Sequence, residues 1–134
     1  MIFTRTDPVV AKLRSLGVAD EAAKRLVASG TPLDVASGVD LCVEGTRGEE
    51  AFVILEGHAV VKLPKGRTVR VGPGDVVGEI AALDPHARRN ATVTTDGPVS
   101  VLVYDVRSFR SLAGGELRDL LVPDRDAAHS AQAA

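Results

Sequence analysis

Hydrophobic spacing predicts helices at the start of the chain. Residues 8–29 carry apolar side chains three and four positions apart, the spacing of an amphipathic helix. Gly17 interrupts this pattern, Asp20 is placed to cap a second helix, and Gly30 ends it. The pattern therefore predicts two short packing helices within residues 1–31.

The pattern changes to that of a β-structure between residues 32 and 105. Short apolar runs alternate with turn residues, as in VDLCVEG, AFVILEGHAVVKL, GRTVRVGPGD, NATVTTDG and PVSVLVYD. Residues 56–58 (EGH) and 64–66 (PKG) are predicted to be compact turns that join neighbouring antiparallel strands. Several short strands at close spacing indicate a sandwich, a roll or a barrel.

Two further segments have helical character. GEIAALD, at residues 78–84, has helix-forming residues and predicts a short helix set into the β-framework. After Asp105 a second apolar helical pattern continues to residue 122 and ends before Pro123. Residues 123–134 are small, polar and alanine-rich, which predicts a disordered tail.

Composition limits the classes of protein that fit. The 134 residues suit one domain, and 45% hydrophobic with 25% charged residues is typical of a globular protein. A net charge of −2 gives no electrostatic case for nucleic-acid binding. No apolar run approaches the ~20 residues of a membrane span, and Met1-Ile2-Phe3 does not begin a signal peptide. The single cysteine, Cys42, fits a reducing compartment, so we expect a cytoplasmic protein.

The charges around residues 78–89 suggest a nucleotide site. A short helix that begins at Gly78 presents free N–H groups to an anion, and an arginine nearby would clamp phosphate oxygens. Glu79 would repel that phosphate unless it accepts a hydrogen bond from another part of the ligand, such as a ribose hydroxyl. The alternative is a structural ion pair between Glu79 and Arg89. Together these groups suggest a nucleotide with one compact phosphate.

At these residues the chain resembles a known family. GEIAAL and RRNATV, within residues 74–95, resemble the phosphate-binding cassette of the cyclic nucleotide-binding domain family. VEGTRGEEAFVILEGHAVV resembles that family's strand–turn–strand segment, and the likeness covers roughly residues 8–121. It implies a mainly β fold, a jelly-roll-type β-roll (double-stranded β-helix) over residues 32–105. N-terminal helices, a short cassette helix and a C-terminal helix at residues 106–122 would flank the roll.

The resemblance also implies roles for individual residues. In the family a glutamate binds the ribose 2′-OH, and an arginine with neighbouring amides binds the cyclic phosphate. Counting back from the Ala-Thr-Val strand selects Arg89 as that arginine, whereas a second spacing found in the family selects Arg88. The implied ligand-binding residues are Val77, Gly78, Glu79, Ile80, Ala81, Arg88, Arg89, Asn90 and Ala91. Asn90 stands where threonine or serine helps to select guanine, which favours cAMP over cGMP.

The resulting hypothesis is a non-catalytic sensor module that needs no cofactor. Its C-terminal helix, residues 106–122, would close over the ligand, and its output would pass to a separate protein partner or through a homodimer. The alternative is a β-roll that has lost nucleotide binding and acts as a protein-interaction module. A cupin-like metalloenzyme is disfavoured because its metal site would need two or three histidines and a carboxylate that converge from neighbouring strands. The three histidines are instead predicted in a turn (His58), in the cassette loop (His86) and in the tail (His129).

Overall fold

The computed structural model describes residues 6–78 and 88–105. The described elements, in chain order, are α1 (Thr6–Ser15), α2 (Asp20–Ser29), β1 (Thr31–Val35), β2 (Asp40–Cys42), β3 (Glu50–Lys62), a 3₁₀ turn (Pro64–Gly66), β4 (Thr68–Val71), β5 (Val76–Val77) and β6 (Thr92–Asp105). The strands form one antiparallel sheet in the order β1–β6–β3–β4, with β2 also paired to β6 and β5 to β3. A mainly β fold with flanking helices is therefore confirmed.

The two helices pack on one face of the sheet. Leu13 of α1 and Ala23 and Leu26 of α2 are fully buried, and they share a core cluster with Val53 of β3 and Leu102 of β6. The predicted helix breaks are confirmed, because α1 ends before Gly17 and α2 ends before Gly30. These helices close the outer face of the roll.

The predicted cap of α2 was wrong. Ala19 occupies the N-cap position, and no side chain there bonds to the helix. Asp20 is instead the first helical residue, and its carboxylate lies 3.1 Å from the Lys24 ammonium one turn later. A negative charge in the first turn still interacts favourably with the helix dipole, so the residue stabilises the same helix end in another way.

Two long strands replace four predicted shorter ones. The expected turn at residues 56–58 is a bulged section inside β3, and residues 95–98 likewise continue β6 without a break. Gly57 has φ = 84°, and a Cβ atom there would lie 2.3 Å from the Pro98 carbonyl oxygen. The glycine therefore allows an irregular, bulged pairing of β3 with β6 at this point. The local sequence resembles a turn although the pairing continues.

Alternate side chains of β3 enter two different cores. Ala51, Val53 and Leu55 face the helices, whereas Phe52 and Ile54 face the interior of the roll. This explains the unbroken apolar run AFVIL, since a strand covered on both faces shows no polar alternation.

The remaining predictions have mixed outcomes. The sequence did not predict β1 as a strand, because four of its five residues are exposed and one is proline. Cys42 is 3% exposed and belongs to the core of the roll. The cassette helix, the C-terminal helix at residues 106–122 and the tail at residues 123–134 lie outside the described residues. Among the described residues, no helix is long and apolar enough to cross a membrane.

Candidate functional site

Arg89 is a buried cation between the end of β5 and the start of β3. The residue precedes β6 by three positions in the sequence and is 5% exposed. Nη1 donates to the Gly78 carbonyl oxygen at 2.9 Å, and Nη2 donates to the Glu50 carbonyl oxygen at 2.6 Å. These two bonds fix the plane of the guanidinium between the end of β5 and the start of β3.

The backbone of Arg89 is held as firmly as its side chain. The Arg89 N–H donates to the Thr46 carbonyl oxygen at 2.8 Å, and the Gly45 N–H donates to the Arg89 carbonyl oxygen at 2.7 Å. Thr46 is in turn fixed by its hydroxyl, which donates to the Val43 carbonyl oxygen at 2.6 Å. The sequence showed segment 44–51 only as a polar turn, so its role in positioning Arg89 was missed.

Gly78 makes room for the guanidinium. Its φ is 81°, in the left-handed region that glycine occupies without strain. A Cβ atom at residue 78 would lie 2.6 Å from Arg89 Nη1 and 2.9 Å from the Glu50 carbonyl oxygen. The site therefore needs glycine at this position for both its backbone angle and its lack of a side chain.

The structure brings some of the predicted site residues together and separates others. Gly78 and Arg89 are in direct contact. Val77 and Ala91 are fully buried in the interior cluster beside them, and Asn90 is exposed. Arg88 is also exposed, and its Nη1 donates to the Gly45 carbonyl oxygen at 3.1 Å. The predicted ligand residues Glu79, Ile80 and Ala81 lie outside the described residues.

Arg88 and Arg89 differ in exposure although they are adjacent. Arg89 is 5% exposed, and its guanidinium is bonded to two backbone carbonyl oxygens. Arg88 is exposed, and both residues precede β6, which begins at Thr92. Of the two, only Arg89 therefore has a buried guanidinium.

The charge of Arg89 has no acidic partner in the described part of the chain. Its described hydrogen-bond acceptors are backbone carbonyl oxygens, and the ion pairs found among residues 6–78 and 88–105 involve other side chains. Buried charges in proteins are normally paired, because removing an ion from water is costly. Any counter-charge for Arg89 therefore comes from outside the described residues, either from another part of the chain, such as Glu79, or from a bound anion.

The thiol of Cys42 and the carboxylate of Glu50 lie within electrostatic range of this cation. Burial raises the pKa of the Cys42 thiol, and Glu50 raises it further, whereas the Arg89 guanidinium lowers it. The described residues contain no group of three or more His, Cys, Asp or Glu side chains that could hold a metal ion. The site thus offers one guanidinium, nearby backbone groups and a neighbouring carboxylate.

Comparison with known proteins identifies the family. The cyclic nucleotide-binding domain pattern matches residues 32–115, which is more than half of the chain. The chain belongs to the cyclic nucleotide-binding domain family. The matched segment of this domain contains β2 to β6, all of β1 except Thr31, and both residues of the Gly78–Arg89 contact.

Three relatives illustrate how the cyclic nucleotide-binding domain is used. A Pycsar effector protein from Pseudomonas aeruginosa is 38% identical over 93 residues, which are 69% of this chain and 30% of that protein. The regulatory domain of Toxoplasma gondii PKA, crystallised with cAMP, matches with a TM-score of 0.70 and 22% identity over 93% of this chain and 50% of that one. A cAMP-binding acyltransferase from Mycobacterium smegmatis matches with a TM-score of 0.69 and 27% identity, over 92% and 42% of the two chains. The chain thus spans half or less of each relative.

Proposed function

We propose that this domain binds a cyclic nucleotide, with cAMP preferred over cGMP, and acts as a non-catalytic regulatory module. The observation that carries the proposal is the buried Arg89 guanidinium, which is 5% exposed and forms no ion pair with any described carboxylate. A phosphate that docks there would supply the missing negative charge through short, charge-assisted hydrogen bonds.

The charge balance favours a cyclic phosphate over an open one. A cyclic phosphodiester carries one negative charge, which one guanidinium neutralises, whereas a terminal phosphate carries close to two at neutral pH. Glu50 lies near enough to affect the Cys42 thiol beside Arg89, so a second negative charge at this place would meet repulsion. By its match to the glutamate of the family's cassette, Glu79 accepts a hydrogen bond from the ribose 2′-OH. Its carboxylate adds a further negative charge that would repel a doubly charged phosphate.

The base preference is proposed from Asn90 and from one cAMP-binding relative. Asn90 replaces the threonine or serine that helps to select guanine in the family, and its side chain is exposed beside Arg89. The Mycobacterium smegmatis acyltransferase, which is 27% identical, is a cAMP-binding protein. Both observations favour adenine.

A binding module regulates only if its ligand stabilises one of two arrangements. We propose that residues 106–122 form the responding segment, and that they act on a separate protein or on a second domain. The net charge of −2 makes nucleic acid an unfavourable partner. The free thiol of Cys42 fits a cytoplasmic setting.

Calorimetric titration of the purified chain tests this function. The ligands are cAMP, cGMP, cCMP, cUMP and, as the open-phosphate control, 5′-AMP. We expect saturable binding of cAMP, weaker binding of cGMP and the weakest binding of 5′-AMP. Tightest binding of a pyrimidine nucleotide would retain the phosphate site but overturn the base preference. No binding of any cyclic nucleotide at millimolar concentration would favour the protein-interaction module instead.

A further inference from the structure

Arg47 and Arg88 lie directly opposite each other in an antiparallel bridge. The Arg89 N–H donates to the Thr46 carbonyl oxygen beside this bridge, the pattern of a non-hydrogen-bonded pair. Side chains of such pairs are the closest in a sheet, and like charges placed there destabilise it. Both arginines are exposed, so an external group can offset their repulsion.

No described carboxylate offsets that repulsion within the same molecule. Arg88 donates to the Gly45 carbonyl oxygen, and neither Arg88 nor Arg47 forms an ion pair within residues 6–78 and 88–105. Glu44 and Glu49, exposed in the same loop, are likewise outside every ion pair found in those ranges. Residues 44–49 and Arg88 thus expose charges of both signs, and none of them forms an ion pair with another described residue.

Apolar side chains accompany these charges. Val39 and Val43 flank β2 and are 40% and 43% exposed, whereas most large apolar side chains in the described part of the chain are buried. One edge of β2 pairs with β6. No strand in the described part of the chain pairs with its other edge. We name this region the β2 surface; it consists of Val39, Val43, Glu44, Arg47, Glu49 and Arg88.

We propose that the β2 surface binds a second copy of the chain across a two-fold axis. In this arrangement Arg47 and Arg88 of one copy meet Glu44 and Glu49 of the other, and the exposed valines are buried near the axis. A two-fold interface brings the same patch of both copies together, so a patch with both charges is self-complementary. A purely acidic partner would instead leave Glu44 and Glu49 facing like charges.

This interface does not depend on the proposed nucleotide function. Arg88 is exposed whereas Arg89 is buried, and the β2 surface contains none of the groups that contact the guanidinium of Arg89. Failure of nucleotide binding would therefore leave the dimer intact, and failure of dimer formation would leave the phosphate site intact.

Sedimentation velocity of the full 134-residue chain, from micromolar to millimolar concentration, tests the dimer. One variant combines Arg47→Glu with Arg88→Glu, and a second combines Glu44→Arg with Glu49→Arg. We expect each variant alone to dimerise about tenfold or more weakly, and an equimolar mixture to recover association as a heterodimer. High salt should weaken the wild-type dimer.

Arg67→Glu is the matched control. Arg67 is exposed in the turn before β4, and its replacement by glutamate reverses the same charge as each substitution in the first variant. Arg47→Gln separates folding from association: it relieves the repulsion, so thermal stability should be retained or raised while association weakens. A wild-type chain that stays monomeric at millimolar concentration would overturn the proposal. Equal dimerisation of the charge-reversed variants, or no recovery on mixing, would also overturn it.

Discussion

Arg89 reaches the Gly78 carbonyl oxygen through a gap that any side chain at residue 78 would fill. The Nη1–O distance is 2.9 Å, and a Cβ atom on residue 78 would stand 2.6 Å from the same nitrogen. The two residues belong to different strand ends and are brought together only in the folded roll. Phosphate affinity should therefore depend on both positions together.

Removing the guanidinium should remove most of the nucleotide affinity. Arg89→Ala deletes the charge partner of a desolvated phosphate, at a cost of roughly 2–5 kcal/mol, or about 30- to several-thousand-fold in Kd. Arg88→Ala deletes an exposed arginine that bonds to the Gly45 carbonyl oxygen and should change Kd by less than about threefold. Calorimetry with cAMP measures both.

Because Arg89 also bonds to backbone carbonyl oxygens, its loss could unfold the site. Arg89→Lys provides the check, since it keeps the charge but loses the fork that spans the Gly78 and Glu50 carbonyl oxygens. We expect intermediate affinity. Equal loss of affinity in Arg88→Ala and Arg89→Ala would contradict the assignment of the phosphate contact.

Gly78→Ala should impair binding through steric contact as well as backbone strain. Gly66→Ala is the matched control, because Gly66 has φ = 83° and no atom within 4 Å of the added Cβ position. Both variants should lose roughly 1–2 kcal/mol of stability from left-handed backbone strain. Only Gly78→Ala should also lower cAMP affinity, by about tenfold or more, since it displaces Arg89. Similar affinity in the two variants would refute the steric argument.

Cys42 reports on the charges at the site. Its thiol pKa is raised chiefly by burial, with Glu50 raising it further and Arg89 lowering it. Arg89→Ala should therefore raise the pKa of the thiol, and Glu50→Gln should lower it. The pH dependence of iodoacetamide alkylation measures both values. Shifts of the same sign in the two variants would show that the thiol responds to altered burial instead of to these charges.

Tyr104 should make stability decline at alkaline pH. Its hydroxyl donates to the Leu26 carbonyl oxygen at 2.5 Å, and burial raises the pKa of the phenol above its ordinary value. A raised pKa in the folded state adds stability that is fully present below the unfolded-state pKa of about 10 and is lost as the pH rises above it.

Tyr104→Phe should cost about 1–2 kcal/mol near neutral pH because it leaves a buried acceptor with fewer partners. It should also flatten the decline in stability above pH ~10. Urea unfolding of the wild type and of Tyr104→Phe between neutral and alkaline pH tests this. The titration of lysines and arginines affects the stability of both proteins equally, so it cancels when the two free energies of unfolding are subtracted. Parallel stability curves would exclude the phenol as the source of the decline.

Ligand binding is expected to protect residues 106–122 from hydrogen exchange. These residues follow β6 directly, and a regulatory domain needs a segment whose stability differs between the free and bound states. Exchange measured by mass spectrometry with and without saturating cAMP provides the test, with α1 as an internal reference. Unchanged exchange in residues 106–122, at concentrations where calorimetry shows binding, would exclude this segment as the responder.

Local chemistry made much of the fold predictable. The helix periodicity before Gly17 and Gly30, and the alternation of apolar runs with turn residues, depend on neighbouring residues alone. Strand boundaries at residues 56–58 were wrong because Gly57 forms a bulge whose form depends on Pro98, far away in the sequence. Such long-range contacts leave no local signature that separates a bulge from a turn.

The site was predictable to a similar extent. Gly78 and Arg89 were selected by side-chain chemistry and by family resemblance, and the structure places them in contact. The acceptor of the Arg89 backbone N–H, the Thr46 carbonyl oxygen, and the Glu50 carbonyl oxygen that faces the guanidinium could not be predicted in this way. Every residue carries a backbone carbonyl, and the register of strands that are distant in sequence decides which one meets Arg89.

The continuous course of β6 also determines how this domain folds. It pairs with β1, β2 and β3, and its pairs with β3 extend from Lys62–Thr92 to Glu50–Asp105. These contacts close long loops before any sheet energy is gained, which predicts slow folding by the contact-order relationship. A truncation or protease cut within Thr92–Asp105 would remove three strand pairings at once. A functional fragment must therefore extend at least to the end of this strand.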